Sequence, residues 1–282
     1  MKYLIVNADD FGMSKGINEG IVKAVREGIV TSVSVLAAGG AFDDAVRLAR
    51  ANGIGDVGAH LSITEIPNLA LGKDAKSLEL FLAEFIFGRM REDDLRREFK
   101  AQIDRIRKAG FEITHLDSHE HIHLLPRMLR IFIGLARECS IPAIRLLREE
   151  KVIGPLTPGK AYRLFLSRNF TKEGERVMRN SGLFSPDHLL GFIDSGRLSE
   201  ELLVKMLGSL EEGATELVAH PGFLDPQVLD DYRWHVNCEY ELYALVSRRV
   251  RQAVEENNIK LISYKEALSE GLRRPENPAN PS

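Results

Sequence analysis

Residues 3–63 alternate short apolar runs with amphipathic segments, and few folds accommodate that pattern. Tyr3 to Val6 (YLIV) is short and wholly apolar, as suits a strand buried on both faces. Ser14 to Gly28 then reads as a helix: Ser14 caps it, Ile17, Ile21 and Ala24 or Val25 form its apolar face, and Gly28 ends it. Thr31 to Ala37 is a β-branched strand, and the segment from Ala41 is a second amphipathic helix. Asp56 to Ile63 is a third strand, with His60 near its C-terminal end. Strand–helix–strand–helix–strand at this spacing implies right-handed crossovers and a parallel sheet.

Beyond Ile63 the rhythm breaks. Residues 65–76 are irregular, 77–88 read as a helix with a largely apolar face, and a charged helix covers 92–108. An excursion of this kind at a sheet's C-terminal edge is either a lid or substrate wall, or a peripheral packing element. Phe111 to Pro126 forms the fourth strand and its outgoing loop, 128–140 its helix, and 143–147 a fifth strand containing Arg145. Helices are expected around 160–166, over 198–210 and over 239–256, with 185–191 as a loop. Late strands fall at 215–223, ending in His220, and at 259–263. Residues 271–282, rich in Pro and Asn, read as a disordered tail. Six or seven strands alternating with helices fit a single-domain, TIM-barrel-like distorted (β/α) barrel over residues 1–270, an α/β fold, better than two domains.

Composition removes several function classes. A net charge of −3 gives no electrostatic footprint for nucleic acid or an anionic membrane. No apolar run approaches the roughly 20 residues that span a bilayer, and the N-terminus does not read as a signal peptide. Two cysteines are too few for a disulfide framework or a cysteine-based zinc site. The expectation is a cytoplasmic protein, for which a homodimer is compatible.

Two places carry candidate chemistry. Asp9 and Asp10 follow the first strand in NADDFG, Asn7 to Gly12. Neighbouring strand residues point to opposite faces, so both acids can serve one site only where the backbone turns, and Gly12 permits that turn. Such a tip is either a turn-and-cap feature or a catalytic edge. The second place is THLDSHEHIH, with His115, Asp117, His119, His121 and His123 all at odd positions. If the backbone stays extended they share one face, and so dense a polar face is costly inside a barrel without a ligand. The C-terminal strand ends of a parallel barrel open onto one rim. Here those ends carry Asp9/Asp10, His60, the His119 cluster and His220, and the fifth strand adds Arg145. An acid with two histidines on a divalent ion leaves positions for water and substrate, as metal-assisted hydrolysis requires.

NADDFG at 7–12, GAHL at 58–61, THLDSHEHIH at 114–123 and AHPGF at 219–223 resemble, in order, the signature blocks of the YdjC-like carbohydrate deacetylase family. That family is distantly similar to NodB-type polysaccharide deacetylases, and the resemblance runs over residues 1–267. It implies a distorted (β/α) barrel that removes N-acetyl groups from acetylated amino sugars using one divalent metal ion. It further implies that Asp10, His60 and His119 bind the metal, Asp9 is the general base and His220 the general acid. Arg145 resembles the arginine that steadies the base in the wider superfamily. His121, His123 and His188 stand at matching positions, as second-shell or substrate contacts. The two metal histidines come from different strands, unlike the His-x-x-x-His pair of the NodB-type pattern. Asp-His-His suits zinc by ligand softness, whereas family members are often assigned magnesium.

The chemistry agrees independently. Amide hydrolysis needs a nucleophile, an electrophile for the carbonyl oxygen and a proton for the leaving amine. A glycosidase needs instead two carboxylates about 5–10 Å apart across the sugar. A non-catalytic metal- or sugar-binding protein would have no use for a base and an acid beyond the metal set.

Overall fold

Parallel pairing demands a covering crossover between successive strands, and the chain places at least one helix in each. The computed structural model describes residues 1–72, 74–148, 152–178 and 181–272. In chain order the strands are β1 (Lys2–Phe11), β2 (Ser32–Val35), β3 (Val57–Leu61), β4 (Ile113–Ser118), β5 (Ala143–Ile144), β6 (His188–Leu190), β7 (Gly213–Ala219) and β8 (Ile259–Leu261). The helices are α1 (Lys15–Glu27), α2 (Phe42–Ala51), α3 (Leu78–Ile86), α4 (Glu92–Lys108), α5 (Pro126–Glu138) and α6 (Pro158–Met178). They continue with α7 (Glu200–Gly208), α8 (Pro226–Asp231), α9 (Cys238–Leu245), α10 (Arg248–Glu256) and α11 (Tyr264–Ser269).

The strands run in the order β5-β4-β3-β2-β1-β7-β6, with β8 pairing β1. One edge of β1 pairs β7 from Lys2 to Ala8; β8 pairs its first residues, and β2 pairs it from Asn7 onward. The two ends of the path meet at residues 184–190. There Ile144 N donates to Phe184 O at 2.9 Å, and His188–Leu190 pairs in parallel with β7. The sheet is therefore curled into a distorted (β/α) barrel. No helix among the described residues is long and apolar enough to cross a membrane.

Alternate strand residues separate two buried environments. Leu4, Val6, Val33, Val57, Leu116 and Leu217 join helix residues such as Ile21, Phe99, Phe132 and Leu203 in the main apolar cluster. The intervening residues Asn7, Ser34, His60, Asp117 and Glu216 are equally buried but polar. Ile5, Phe184, Ala214, Ile262 and Tyr264 form a separate apolar cluster nearer the strands' N-terminal ends. The barrel interior thus has an apolar floor and a polar upper layer.

Several expectations are corrected. The segment 185–191 is not a plain loop but contains β6, a strand of three residues, too short to show a period. The expected helix over 239–256 is two helices, because Ser247 caps α10 by accepting from Arg249 N. The helix around 160–166 is longer, at 158–178, and β5 ends at Ile144, one residue before Arg145. Residues 273–282 of the expected tail lie outside the described residues.

Helix α1 fixes the loop after β7 by close approach. A Cβ on Gly20 would lie 2.3 Å from Gly222 Cα, so neither backbone can retreat without opening the contact. Gly20→Ala is expected to lower stability by about 1–3 kcal/mol through overpacking, read as a lower urea midpoint at unchanged slope.

Candidate active site

The strand tip turns because β1 bulges. Ala8 stands opposite Val33 and Phe11 opposite Val35, so β1 takes three steps where β2 takes two. Within the bulge Asp10 adopts a left-handed backbone (φ 67°), and Gly12 follows at φ 114°. Both neighbouring acids are thereby brought to the barrel mouth, each 1% exposed.

They then take separate partners. Asp9 receives both ends of the Arg145 guanidinium, Nη1 to Oδ2 at 2.7 Å and Nη2 to Oδ1 at 2.8 Å. Asn7 Nδ2 also donates to Asp9 Oδ1 at 2.7 Å. Arg145 further pairs with Asp117 Oδ2 at 2.7 Å and with Glu216 Oε1 at 2.8 Å. Glu216 is held in turn by the Tyr264 hydroxyl at 2.7 Å. Asp10 instead meets histidines. Its Oδ1 lies 2.9 Å from His119 Nδ1 and 3.3 Å from His60 Nε2, while His235 Nε2 reaches Oδ2 at 2.8 Å. The far nitrogen of each of the first two rings is also engaged: His60 Nδ1 with Asp117 Oδ1 at 2.9 Å, and His119 Nε2 with Glu65 Oε2 at 3.0 Å. Carboxylates behind histidines in this way fix the ring that faces a metal.

Donor atoms of Asp10, His60 and His119 all lie within 4.8 Å of one another, the arrangement a metal ion needs. A second triplet, Asp9, His60 and Asp117, meets the same distance, but its carboxylates already pair with Arg145. His220, beyond β7, stands across from the base, its Nε2 4.0 Å from Asp9 Oδ2. Its backbone N–H donates to Glu241 Oε2 at 2.7 Å, and the same oxygen lies 3.7 Å from Nδ1. All six residues expected at the site, Asp9, Asp10, His60, His119, Arg145 and His220, therefore meet at one rim. A cleft of about 740 Å³ opens above them, walled by Leu78, His121, Arg163, Phe192 and Trp234.

The histidine run behaves differently from an extended strand. β4 ends at Ser118, and Glu120 (φ 54°) and His121 (φ 53°) are left-handed, so the side chains do not share one face. His115 stays inside the barrel, stacked on Tyr264 at 3.8 Å. His119 turns to Asp10, and His121 lies edge-on to Phe192 at 5.1 Å in the cleft wall. His123 folds back to Ser118 Oγ at 2.6 Å. His188 is not among the residues lining this cleft; its Nε2 lies 3.9 Å from Glu211 Oε2. His235 is the residue the sequence reading missed. It stands alone in YRWHVN, with no periodicity or neighbouring ligand to mark it.

Residues 3–256 match the model of the family described as YdjC-like protein. The chain belongs to the YdjC-like family. It is 30% identical over 273 residues, 94% of its own length and 98% of the other's, to a Thermoanaerobacter pseudethanolicus protein named carbohydrate deacetylase. A Klebsiella pneumoniae protein named chitooligosaccharide deacetylase is 30% identical over 279 residues, covering 94% of this chain and 99% of that one. A crystal structure of an Enterococcus faecalis protein superimposes with a TM-score of 0.75 at 24% identity, covering 94% of this chain and 98% of that one. At that identity the agreement concerns the fold.

The electrostatics of this YdjC-like site divide its histidines in two. Burial first, with the Arg145 charge, lowers His115 to about 4 and His123 to about 3, and pushes His121 down as well, so charge on these rings is disfavoured. Burial also opposes charge on His119, but the Asp10 carboxylate and its hydrogen bond outweigh it and hold the ring at about 9. His60 is raised against burial by Asp117 and then Asp9, and His220 against burial by Glu241. Asp10 is held well below the usual carboxylate range, burial being overcome first by the charge of His119. Positive charge is thus demanded where Asp10, His60 and His119 converge, and the donor set fits a divalent cation.

This gives a signed expectation for the metal-free protein. His119 is raised from 6.5 to about 9, so its stabilisation is complete below pH 6.5 and is lost as pH rises through 9. His60 adds in the same direction. The urea midpoint should fall between pH about 6 and about 9.5, and His119→Gln should flatten that fall.

Proposed function

We propose that this YdjC-like protein is a carbohydrate deacetylase that hydrolyses the N-acetyl group of an amino sugar, with a divalent metal ion held by Asp10, His60 and His119. The observation that carries the reading is the placement of Asp9 and His220 on either side of one point beside that set, Nε2 to Oδ2 at 4.0 Å. Full-length relatives named carbohydrate deacetylase and chitooligosaccharide deacetylase support it. An ion bound there would polarise the amide carbonyl and lower the pKa of a water molecule.

The chain's own residues supply the rest. Asp9 is the general base, and Oδ2 is its working oxygen, because Oδ1 already accepts from both Arg145 and Asn7. Arg145 fixes the plane of that carboxylate through two parallel hydrogen bonds. His220 is the general acid: Glu241 favours the protonated ring against burial, and Nε2 gives its proton to the leaving amine. Phe192, Trp234 and Leu78 line the cleft and offer apolar surface to the sugar ring while limiting water. Glycoside cleavage fits less well, since Asp9 and Asp10 leave one strand tip for different partners rather than flanking a bond. Zinc suits the two imidazoles by softness, and magnesium suits the carboxylate.

Incubation with N-acetylglucosamine oligomers should release acetate and leave chain length unchanged. Shortened sugars without acetate would indicate a glycosidase, and binding with neither product a non-catalytic sugar-binding protein. Asp9→Asn should keep its metal while kcat falls roughly 10²–10⁴-fold, and near wild-type turnover would remove Asp9 from the role. His60→Ala and His119→Ala should each lose bound metal, read as metal content of the folded variants.

A further inference from the structure

His235 lies in the short turn Arg233–Asn237 between α8 and α9 and is 3% exposed. Its Nε2 stands 2.8 Å from Asp10 Oδ2. An ionised carboxylate can only accept, so the ring donates from that nitrogen. The other nitrogen, Nδ1, is buried and has no hydrogen-bond partner among the described residues. Asp10 is therefore the one hydrogen-bond partner of this ring among the described residues. The ring is kept in place by its backbone N–H, which donates to Tyr232 O at 2.8 Å. Trp234 packs against it edge-on at 4.7 Å.

The two oxygens of Asp10 have divided duties. Oδ1 faces the two histidines of the metal set, at His119 Nδ1 and His60 Nε2, whereas Oδ2 faces His235. The terminal torsion of an aspartate is broad, so an unrestrained carboxylate would rotate and offer either oxygen or both. His235 itself stands outside the set of donor atoms that converge within 4.8 Å.

We infer that His235 is a positioning residue for the metal carboxylate: by holding Oδ2 it makes Asp10 a one-oxygen ligand through Oδ1. The inference rests on the metal reading above and adds to it a residue outside the ligand set. Partners of this kind typically contribute about 10–100-fold in metal affinity.

The test uses the full-length protein stripped of metal and titrated with Co²⁺ alone, following visible absorption and competition with a chelator. His235→Ala should weaken Co²⁺ affinity about 10–100-fold yet reach the wild-type band shape at saturation. His235→Gln, which restores an N–H donor in a similar volume and covers the case of a misfolded alanine variant, should recover most of that loss. Equal affinity in wild type and His235→Ala would overturn the inference, as would a glutamine variant no better than alanine. A changed band shape at saturation would overturn it differently, by making His235 a ligand. Should the wild type take up no Co²⁺, the metal reading fails and this inference with it; a failure confined to the variants touches His235 alone.

Discussion

A guanidinium inside a barrel is the constraint around which this molecule is arranged. Arg145 is 1% exposed, and a buried cation without partners would cost several kcal/mol. Asp9, Asp117 and Glu216 converge on it from three different strands, and Tyr264 braces Glu216 from the far end of the chain. Each strand must therefore hold its register, because a slip of one residue would turn its carboxylate out of the barrel. The same network brings Asp117 to His60 and Asp9 to the rim. Folding and site assembly are one electrostatic problem here, with the guanidinium at its centre.

The bulge in β1 solves the remaining part of that problem. Two adjacent carboxylates at one site repel each other unless each has its own source of positive charge. A left-handed Asp10 sends the two side chains to different neighbours, one to Arg145 and the other to three histidines. The two neighbouring carboxylates thus share no partner.

Much of this was legible in the residues. The strand–helix alternation revealed the parallel barrel because fully buried strands leave unbroken apolar runs such as YLIV. The rim residues Asp9, Asp10, His60, His119, Arg145 and His220 stood out because each sits at or just beyond a strand end. What was not legible depends on local backbone. The left-handed pair Glu120 and His121 breaks an alternation that would otherwise place the histidines on one face. β6 has too few residues to declare a period, and Ser247 interrupts a helical pattern without changing its apolar stripe. His235 reaches Asp10 across 225 positions from a loop, where neither spacing nor periodicity carries information.

The central position of β1 bears on the order of assembly during synthesis. This strand pairs with β2 soon after both emerge, but its other edge waits for residues 213–219, and its first turn of pairing for 259–261. Until then a strand carrying two acids has an open edge. Contacts of such long sequence separation are slow to form, and the intermediate is exposed meanwhile. Charge at a strand tip disfavours strand-on-strand association, and the cation that pairs with Asp9, Arg145, comes 136 positions later in the chain, with its own partner Glu216 later still.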